Sequence, residues 1–276
     1  MILPGTYQNG FAPRDGEPLF PELWRGCVGS WNPGLGPTGL TLRDWSAYKN
    51  HGTLTNMDAG TDWVASQGRY ALDFDGVNDF VDCSGVSSPS VFSMVGWFSP
   101  TDTTGAEMLA VQRSHQSTAS LMRTQWFFNG VNIHCRVFSG LNENGWRGVI
   151  ASNVVATAWK HYGFVYNGGT NIKCFVNGIE QSVTTESGGA AFAAINTGSV
   201  PLVIGAQNTS GVPANHYSGR CDDIAIYNRA LSPNEIRLLA SRRGIAYEMA
   251  PRSWTSQQIA AYRSRYYSQV IGSGVV

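Results

Sequence analysis

The stretch Tyr217–Ile236 constrains the fold more than any other part of this chain. Two isoleucines alternate with Ala and Tyr at positions 224–227, a period of two that predicts a half-buried strand. Ser232 and Glu235 then form a capping-box pattern, in which the Ser side chain accepts from the Glu backbone N–H and the Glu side chain reaches back. Pro233 occupies the first helical position, which proline tolerates. The stretch therefore predicts a strand that leads into a helix over about residues 232–243.

Four other segments occur in a defined order upstream of this strand. They are an entry segment, a strand–turn–strand, a core strand and a hairpin with Asn167-Gly-Gly at its turn, at Leu42–Leu54, Ala71–Asp82, Phe92–Phe98 and Trp159–Gly178. Together with the final strand and helix, they resemble the laminin-G-like branch of the concanavalin A-like lectin/glucanase superfamily over roughly residues 22 to 243. The resemblance implies an all-β fold, a concanavalin A-like antiparallel β-sandwich (jelly roll).

The parts outside this match predict two appendages. Residues 1–21 are rich in Pro and Gly and contain scattered apolar residues, which indicates an extended N-terminal arm. Residues 22–243 form the sandwich, in which 184–200 predict a long loop. Residues 244–276 form a short C-terminal helical appendage, whose helix begins at a second capping-box pattern, Thr255 with Gln258.

Charge and hydropathy exclude two classes of partner. The chain has 19 basic and 19 acidic residues, so a formal net charge of zero argues against nucleic acid, which requires a basic surface. No apolar run approaches the roughly 20 residues that span a bilayer, so we expect no membrane partner. Charged residues make up only 14% of the chain, a fraction typical of a turn-rich β protein whose surface is partly covered by partners.

The cysteines indicate neither a disulfide framework nor a zinc site. There are five, an odd number, and none is in a Cys-x-x-Cys pair. Cys174 and Cys221 occupy inward positions on their strands, so we expect both side chains to be buried and to pack as small hydrophobic residues. The N-terminal segment has neither the basic region nor the apolar region of a secretory signal.

Hydrolysis of glycosides is the activity that this fold suggests, and the residues for it are missing. The reaction needs two carboxylates roughly 5 to 9 Å apart. The resemblance implies a Glu-x-Asp-x-x-Glu strand for hydrolases of this fold, and no glutamate of this chain has that spacing. We therefore expect a protein that is not an enzyme and has no catalytic residues.

The resemblance also implies a structural calcium ion. Calcium takes six to eight oxygen ligands from carboxylates and carbonyls. The acidic positions that match the family are Asp44, Asp75, Asp222 and Asp223. The alternative is that Asp75 stabilises a tight turn and that Asp222 and Asp223 bind nearby backbone.

Two of the nine tryptophans are candidates for binding sugar, because sugar faces stack on aromatic rings. Most of the others fall within core-strand motifs or the entry segment, whereas Trp126 and Trp146 are predicted near loops. A glycan platform on this pair is the alternative functional hypothesis, in which the chain is a lectin-like module that recognises a host-surface glycan.

The first functional hypothesis is a structural virion protein. The whole chain, with its arm and the segment Arg243–Glu248 after the helix, resembles laminin-G-like proteins of tailed bacteriophages, which implies a capsid decoration (cement) or tail-associated subunit. We expect synthesis in the host cytoplasm without a signal peptide, followed by incorporation into the virion. The expected partners are other copies of the chain, as a trimer, and a major capsid or tail protein.

Overall fold

The computed structural model describes residues 18–83, 85–86, 89–113, 122–139, 145–188, 192, 194–196, 201–209, 212–250 and 254–272. Most of the expected arm (1–17) and the end of the tail (273–276) therefore lie outside the described residues. The strands are β1 (Cys27–Trp31), β2 (Thr41–Leu42), β3 (Gly52–Thr55), β4 (Trp63–Ser66), β5 (Arg69–Asp75), β6 (Phe80–Cys83), β7 (Phe92–Pro100), β8 (Ala106–Arg113), β9 (Met122–Asn129), β10 (Asn132–Phe138), β11 (Trp146–Ala151), β12 (Lys160–Tyr166), β13 (Ile172–Val176), β14 (Ile179–Glu180), β15 (Thr184–Gly188), β16 (Leu202–Ile204), β17 (Gln207–Thr209), β18 (Val212–Ala214) and β19 (Ser218–Tyr227). The helices are α1 (Pro233–Leu239) and α2 (Ser256–Val270), and short 3-10 turns span Pro21–Trp24, Pro33–Leu35 and Ile245–Tyr247.

Most of the strands form two antiparallel sheets, which confirms the predicted sandwich, and β17 pairs with β18 in a separate two-stranded sheet. An eight-stranded sheet has the order β14-β13-β12-β7-β19-β5-β4, and β1 also pairs with β19. A nine-stranded sheet has the order β15-β11-β10-β9-β8-β16-β6-β3-β2. The main core lies between them and includes Phe98 and Phe164 from the first sheet and Trp126 and Ile133 from the second.

The Asn167-Gly-Gly turn produces the central hairpin as predicted. Tyr166 of β12 pairs with Ile172 of β13, and the two turn glycines, Gly168 and Gly169, have φ of 86° and 57°. Glycine takes this left-handed region without the steric cost of a Cβ atom. The turn thereby aligns the aromatic face of β12 with the apolar face of β13 inside the core.

The alternation on β19 is confirmed, but the strand is not half-buried. Ile224 and Ile226 face the core between the sheets, while Ala225 and Tyr227 face a second apolar cluster on the opposite side. All four side chains are buried. The expectation was wrong because the sequence pattern does not show that helices cover the outer face of this sheet.

A cap made from both ends of the described chain covers that face. We define the cap as residues 18–24 together with residues 232–250 and 254–272. Leu19 and Phe20 pack in one apolar cluster with Ile236 of α1. The Leu19 N–H donates to the Glu248 carbonyl at 2.7 Å, and Pro18 forms an isolated antiparallel β-bridge with Met249. Residues 18–21 of the expected arm therefore lie against the chain's own C-terminal extension.

Both helices begin at the predicted capping boxes. Ser232 accepts from the Glu235 N–H, Thr255 accepts from the Gln258 N–H, and both reciprocal bonds are present. None of the described helices is long and apolar enough to cross a membrane. Cys174 and Cys221 are buried free thiols, as expected.

Candidate functional site

The outer face of the nine-stranded sheet carries a cluster of aromatic and charged side chains. We call it the Arg136 cluster; its members come from β9, β10, β11 and β15 and are Phe127, His134, Arg136, Trp146 and Glu186. Successive side chains of a strand point to opposite faces. Because Ile133, Cys135 and Val137 of β10 lie in the core, the side chains between them point outward.

Arg136 lies between two aromatic rings. Its Cζ atom is 4.8 Å from the centroid of Phe127 and 4.4 Å from the centroid of Trp146. Guanidinium groups at this distance are attracted to the negative face of a ring. The three side chains therefore hold one another in a fixed stack across three neighbouring strands.

Glu186 fixes the stack from the edge strand β15. Its Oε1 and Oε2 accept from Nε and Nη2 of Arg136, each at 2.8 Å, and Oε1 lies 3.1 Å from Nδ1 of His134. Burial alone would raise the pKa of Glu186, but hydrogen bonds from His134 and Arg136 lower it to about 2. His134 in turn stacks on Phe127, with ring centroids 4.6 Å apart.

Two glycines make this close approach possible. A Cβ atom on Gly148 would lie 2.8 Å from Cγ of Arg136 and 2.9 Å from Oε1 of Glu186. A Cβ atom on Gly188 would lie 2.4 Å from Nε1 of Trp146. Any larger residue at these positions would separate the members of the cluster.

The cluster is open to solvent on one side. The side chains of Arg136 and Glu186 are 24% and 14% exposed, and Trp146 is half-buried. Glu186 engages Nε and Nη2 of Arg136, so Nη1 is the guanidinium nitrogen outside that bidentate pair. An aromatic ring beside fixed donors and acceptors can stack on an apolar ligand face and bind ligand hydroxyl groups.

Trp126 is not part of this surface, and its prediction as a ligand-binding residue was wrong. It lies on β9 opposite Cys135, its side chain is fully buried, and its ring makes an edge contact with Phe98 at 5.4 Å. Trp126 precedes Phe127 on the same strand, so the two side chains point to opposite faces of the sheet, and that of Trp126 points into the core. Trp146 points to the outer face and remains the candidate.

The structure gives Asp222 and Asp223 a different role from the one expected. Nε of Arg69 and Nε of Arg243 lie 3.4 and 3.3 Å from Oδ2 of Asp222, and Nη2 of Arg69 lies 3.8 Å from Oδ1 of Asp223. Burial raises the pKa of both carboxyls, and the two arginines oppose this. We call these four residues the charged joint, because it links the sandwich to residues 243–244 of the extension.

Backbone groups also bind the aspartates of the charged joint. The Gly34 N–H donates to Asp222 at 3.0 Å, and the Gly244 N–H donates to Asp223. The alternative interpretation of this pair, backbone hydrogen bonding, is therefore confirmed. Two guanidinium groups provide the positive charge beside these carboxylates.

The other two aspartates stabilise separate loops. The buried carboxylate of Asp44 accepts from the N–H groups of Ser30, Ser46 and Asn50, each at 2.8 Å. Asp75 accepts from the N–H groups of the turn that follows it, at 2.8 and 3.1 Å, which confirms the tight-turn interpretation.

The four aspartates do not form one metal site. Among the described residues, no group of three or more His, Cys, Asp or Glu side chains is arranged to hold a metal ion. Asp44 and Asp75 bind backbone groups of separate loops, whereas Asp222 and Asp223 share the arginines of the charged joint. Calcium binding by this chain stays a prediction.

Most members of the Arg136 cluster were missed by the sequence analysis. Residues 184–200 are rich in small residues and predicted a loop, yet Thr184–Gly188 forms β15 and places Glu186 opposite Gly148. The available signal was the alternation in Ile133–Phe138, where polar residues 134 and 136 interrupt apolar ones. That pattern indicates an outward charged face, but not its partner on a distant strand.

Comparisons with solved structures show the same fold at low sequence identity. Domain 4 of AbnA, a GH43 extracellular arabinanase from Geobacillus stearothermophilus solved in complex with arabinotriose, is 16% identical, with a TM-score of 0.53 over 78% of this chain and 98% of that one. The binding domain of Paraclostridial Mosquitocidal Protein 1 is 14% identical, with a TM-score of 0.55 over 79% of this chain and 52% of that one.

A third similar structure is also a toxin domain. The receptor binding domain of botulinum neurotoxin C/D mosaic serotype is 12% identical, with a TM-score of 0.56 over 78% of this chain and 51% of that one. This chain thus spans about half the length of the two toxin domains. No curated protein matches the sequence.

A family model assigns the chain more specifically than these structures do. The laminin G-like model described as the concanavalin A-like lectin/glucanases superfamily matches residues 75–237, more than half of the chain. The matched range begins at the last residue of β5 and ends within α1, so it contains the Arg136 cluster. The chain therefore belongs to the laminin G-like family of the concanavalin A-like lectin/glucanases superfamily.

Proposed function

We propose that this chain is a non-catalytic carbohydrate-binding domain and that the Arg136 cluster is its binding surface. The observation that carries the proposal is the stack of Arg136 between Phe127 and half-buried Trp146. The indole offers a flat apolar face, and the neighbouring charged groups offer hydrogen bonds in fixed directions. A sugar has the complementary surface, with an apolar ring face and equatorial hydroxyl groups.

The comparisons support this function by analogy. The arabinanase domain was solved with arabinotriose, and the two toxin domains are named as binding or receptor-binding domains. A non-catalytic role agrees with the state of Glu186, which is ionised near neutral pH and accepts three hydrogen bonds. A general acid for glycoside cleavage needs a raised pKa instead.

A glycan array followed by calorimetry tests the proposal. We expect the full chain to bind a subset of the array, and Trp146→Ala to weaken that binding at least tenfold. Trp254→Ala is the matched control, because Trp254 is also half-buried but lies before α2 in the cap. An array without any binder, or equal affinity of Trp146→Ala and the unaltered chain, would sink the proposal.

A second candidate is the structural virion role, as a capsid decoration or tail-associated subunit of a tailed phage. The observation in its favour is α2, none of whose residues is buried. Trp254, Tyr262 and Tyr266 form a row of rings, with centroids 5.2 and 6.2 Å apart, along a groove of about 690 Å³ that Arg242 and Arg265 also line. Such a surface suits contact with other subunits.

This candidate makes two measurable claims. Light scattering of the intact chain should give the mass of a trimer, and mass spectrometry of purified particles from the source should detect the chain in fixed copy number. A monomer that is absent from particles would leave carbohydrate binding as the single proposal. The two candidates are compatible, because a virion subunit can also bind glycans.

A further inference from the structure

A small cavity with a few polar groups in a mostly apolar wall lies beneath the cap, away from the Arg136 cluster. Its volume is about 20 Å³, and its walls come from the cap-facing side of the eight-stranded sheet and from Ile245–Tyr247. Trp97 of β7, His161 of β12, and Asp223 and Ala225 of β19 line it. Most of the surrounding cluster is apolar, so the three polar side chains need an explanation.

Each of these three side chains has a buried polar atom without a hydrogen-bond partner among the described residues. Nε1 of Trp97, Nδ1 of His161 and Oδ1 of Asp223 make no hydrogen bond to any described residue. The rings of Trp97 and His161 are in contact, with centroids 5.5 Å apart at 68°. An unpaired polar atom in a protein interior is unfavourable, and three around one cavity indicate a shared partner.

We propose that this cavity is a binding site for one water molecule that bridges Trp97, His161 and Asp223. A cavity needs about 10–15 Å³ to hold a water, and a buried water typically makes about three hydrogen bonds. The volume here fits one water and excludes larger ligands. The indole N–H donates to the water oxygen, the water donates to Nδ1 of His161, and Oδ1 of Asp223 makes the third hydrogen bond to the water.

The protonation states agree with this pattern. Burial lowers the pKa of His161 to about 3, so the imidazole is neutral near neutral pH and Nδ1 can accept. Burial and the neighbouring Asp222 raise the pKa of Asp223 to about 8 against the opposing charge of Arg69, so Oδ1 can either donate a hydrogen bond to the water or accept one from it. A metal ion does not fit, because the indole N–H is a donor only and would point its proton at the cation.

The water would connect three strands of the sheet at the place where Tyr247 packs. The Tyr247 hydroxyl is 2.5 Å from Oγ of Ser30, so a second polar contact secures the same turn. The cap is therefore attached to the sandwich by a hydrated contact as well as by apolar packing. This role goes beyond carbohydrate binding and does not depend on it.

A crystal structure of the full chain at about 1.5 Å resolution is the first test. We expect a single density peak in the cavity within hydrogen-bond distance of Nε1 of Trp97, Nδ1 of His161 and Oδ1 of Asp223. An empty cavity would overturn the proposal, as would a rearrangement in which these atoms bond directly to one another.

Water-selective NMR on the ¹⁵N-labelled chain tests the site in solution. The indole N–H of Trp97, assigned with Trp97→Phe, should show a cross-peak to a long-lived water. Trp31 is the control, because its side chain is fully buried and its indole N–H donates directly to the Asn50 carbonyl at 3.0 Å, so it should show no cross-peak. Loss of the Trp97 signal to the level of Trp31 would contradict the site.

Discussion

At the residue scale, Trp126 and Trp146 show how position on a strand decides the role of one side-chain type. Both belong to the nine-stranded sheet, Trp126 on β9 and Trp146 on β11. The first fills the core beside Phe98, and the second lies on the outer face against Arg136. Substitution of Trp126 should therefore affect mainly stability, and substitution of Trp146 should affect mainly ligand binding.

Replacing each tryptophan by alanine should affect stability very differently. We expect Trp126→Ala to lower the free energy of unfolding by about 3–5 kcal/mol, because it leaves a large cavity. Trp146→Ala should cost about 1 kcal/mol or less, since the side chain is only half-buried. Urea unfolding at pH 7 measures both, and a larger loss for Trp146→Ala would show that the faces are assigned wrongly.

Glu186 should make stability depend on acid pH. Its pKa of about 2 in the folded state lies below the ordinary value of 4.5, so the stabilisation is fully present above about pH 5 and is lost as the pH falls toward 2. The full effect is at most about 3 kcal/mol. The difference in unfolding free energy between the unaltered chain and Glu186→Gln should shrink over this range.

Glu180→Gln is the control for this titration. Glu180 pairs with Lys173 at 2.9 Å, but both side chains are more than 40% exposed, and such pairs contribute little. Its difference from the unaltered chain should therefore stay small from pH 7 to pH 2.5. A Glu186→Gln difference that is constant with pH would contradict the predicted role.

At the element scale, the charged joint ties β5 and β19 to the chain that follows α1. Arg69 reaches Asp222 from the start of β5, and Arg243 reaches the same carboxylate from the extension. Cζ of Arg243 also lies 4.3 Å from the centroid of Trp159. The aspartate pair therefore positions elements rather than a ligand.

Removing one partner of the charged joint should be strongly destabilising. Asp222→Ala leaves two partly buried guanidinium groups beside Asp223, and we expect a loss of about 3–5 kcal/mol in unfolding free energy. Asp73→Ala is the matched control, because Asp73 pairs with Arg220 on the same two strands in an exposed position. Chemical denaturation should show a loss below about 1 kcal/mol for the control, and equal losses would refute this account.

At the scale of the whole molecule, three layers pack on one another: the nine-stranded sheet, the eight-stranded sheet and the cap. The cap joins the first described residues to the last helix, since Phe20 is fully buried with ring contacts to Tyr266 at 5.3 Å and Tyr267 at 6.1 Å. Arg263 of α2 pairs with Glu22 at 2.5 Å. The two ends of the described part of the chain therefore stabilise each other on the sandwich.

Phe20→Ala should loosen the cap before it affects the sandwich. We expect amide hydrogen exchange to accelerate across α2, because α2 has no buried residue of its own and depends on these contacts. Exchange in β9 and β10 should change little. Leu40→Ala, at an exposed side chain, is the control. Uniform acceleration over all elements would show that the cap and sandwich unfold as one unit.

Local features of this molecule could be predicted from neighbouring residues. The two capping boxes, the Asn167-Gly-Gly turn and the alternation at positions 224–227 all appear where expected. Each depends on interactions within a few residues of chain, where hydrogen-bonding geometry and side-chain period leave little choice. The order of such segments also indicated the sandwich.

The candidate site could not be predicted in the same way, because it depends on which distant strands pair. A shift of one residue in register turns every side chain of a strand to the other face, so composition could not separate Trp126 from Trp146. Glu186 reaches Arg136 only because β15 pairs with β11. The sequence by itself thus determined the strands, turns and helix starts, whereas tertiary pairing decided which face each side chain occupies and which charges meet there.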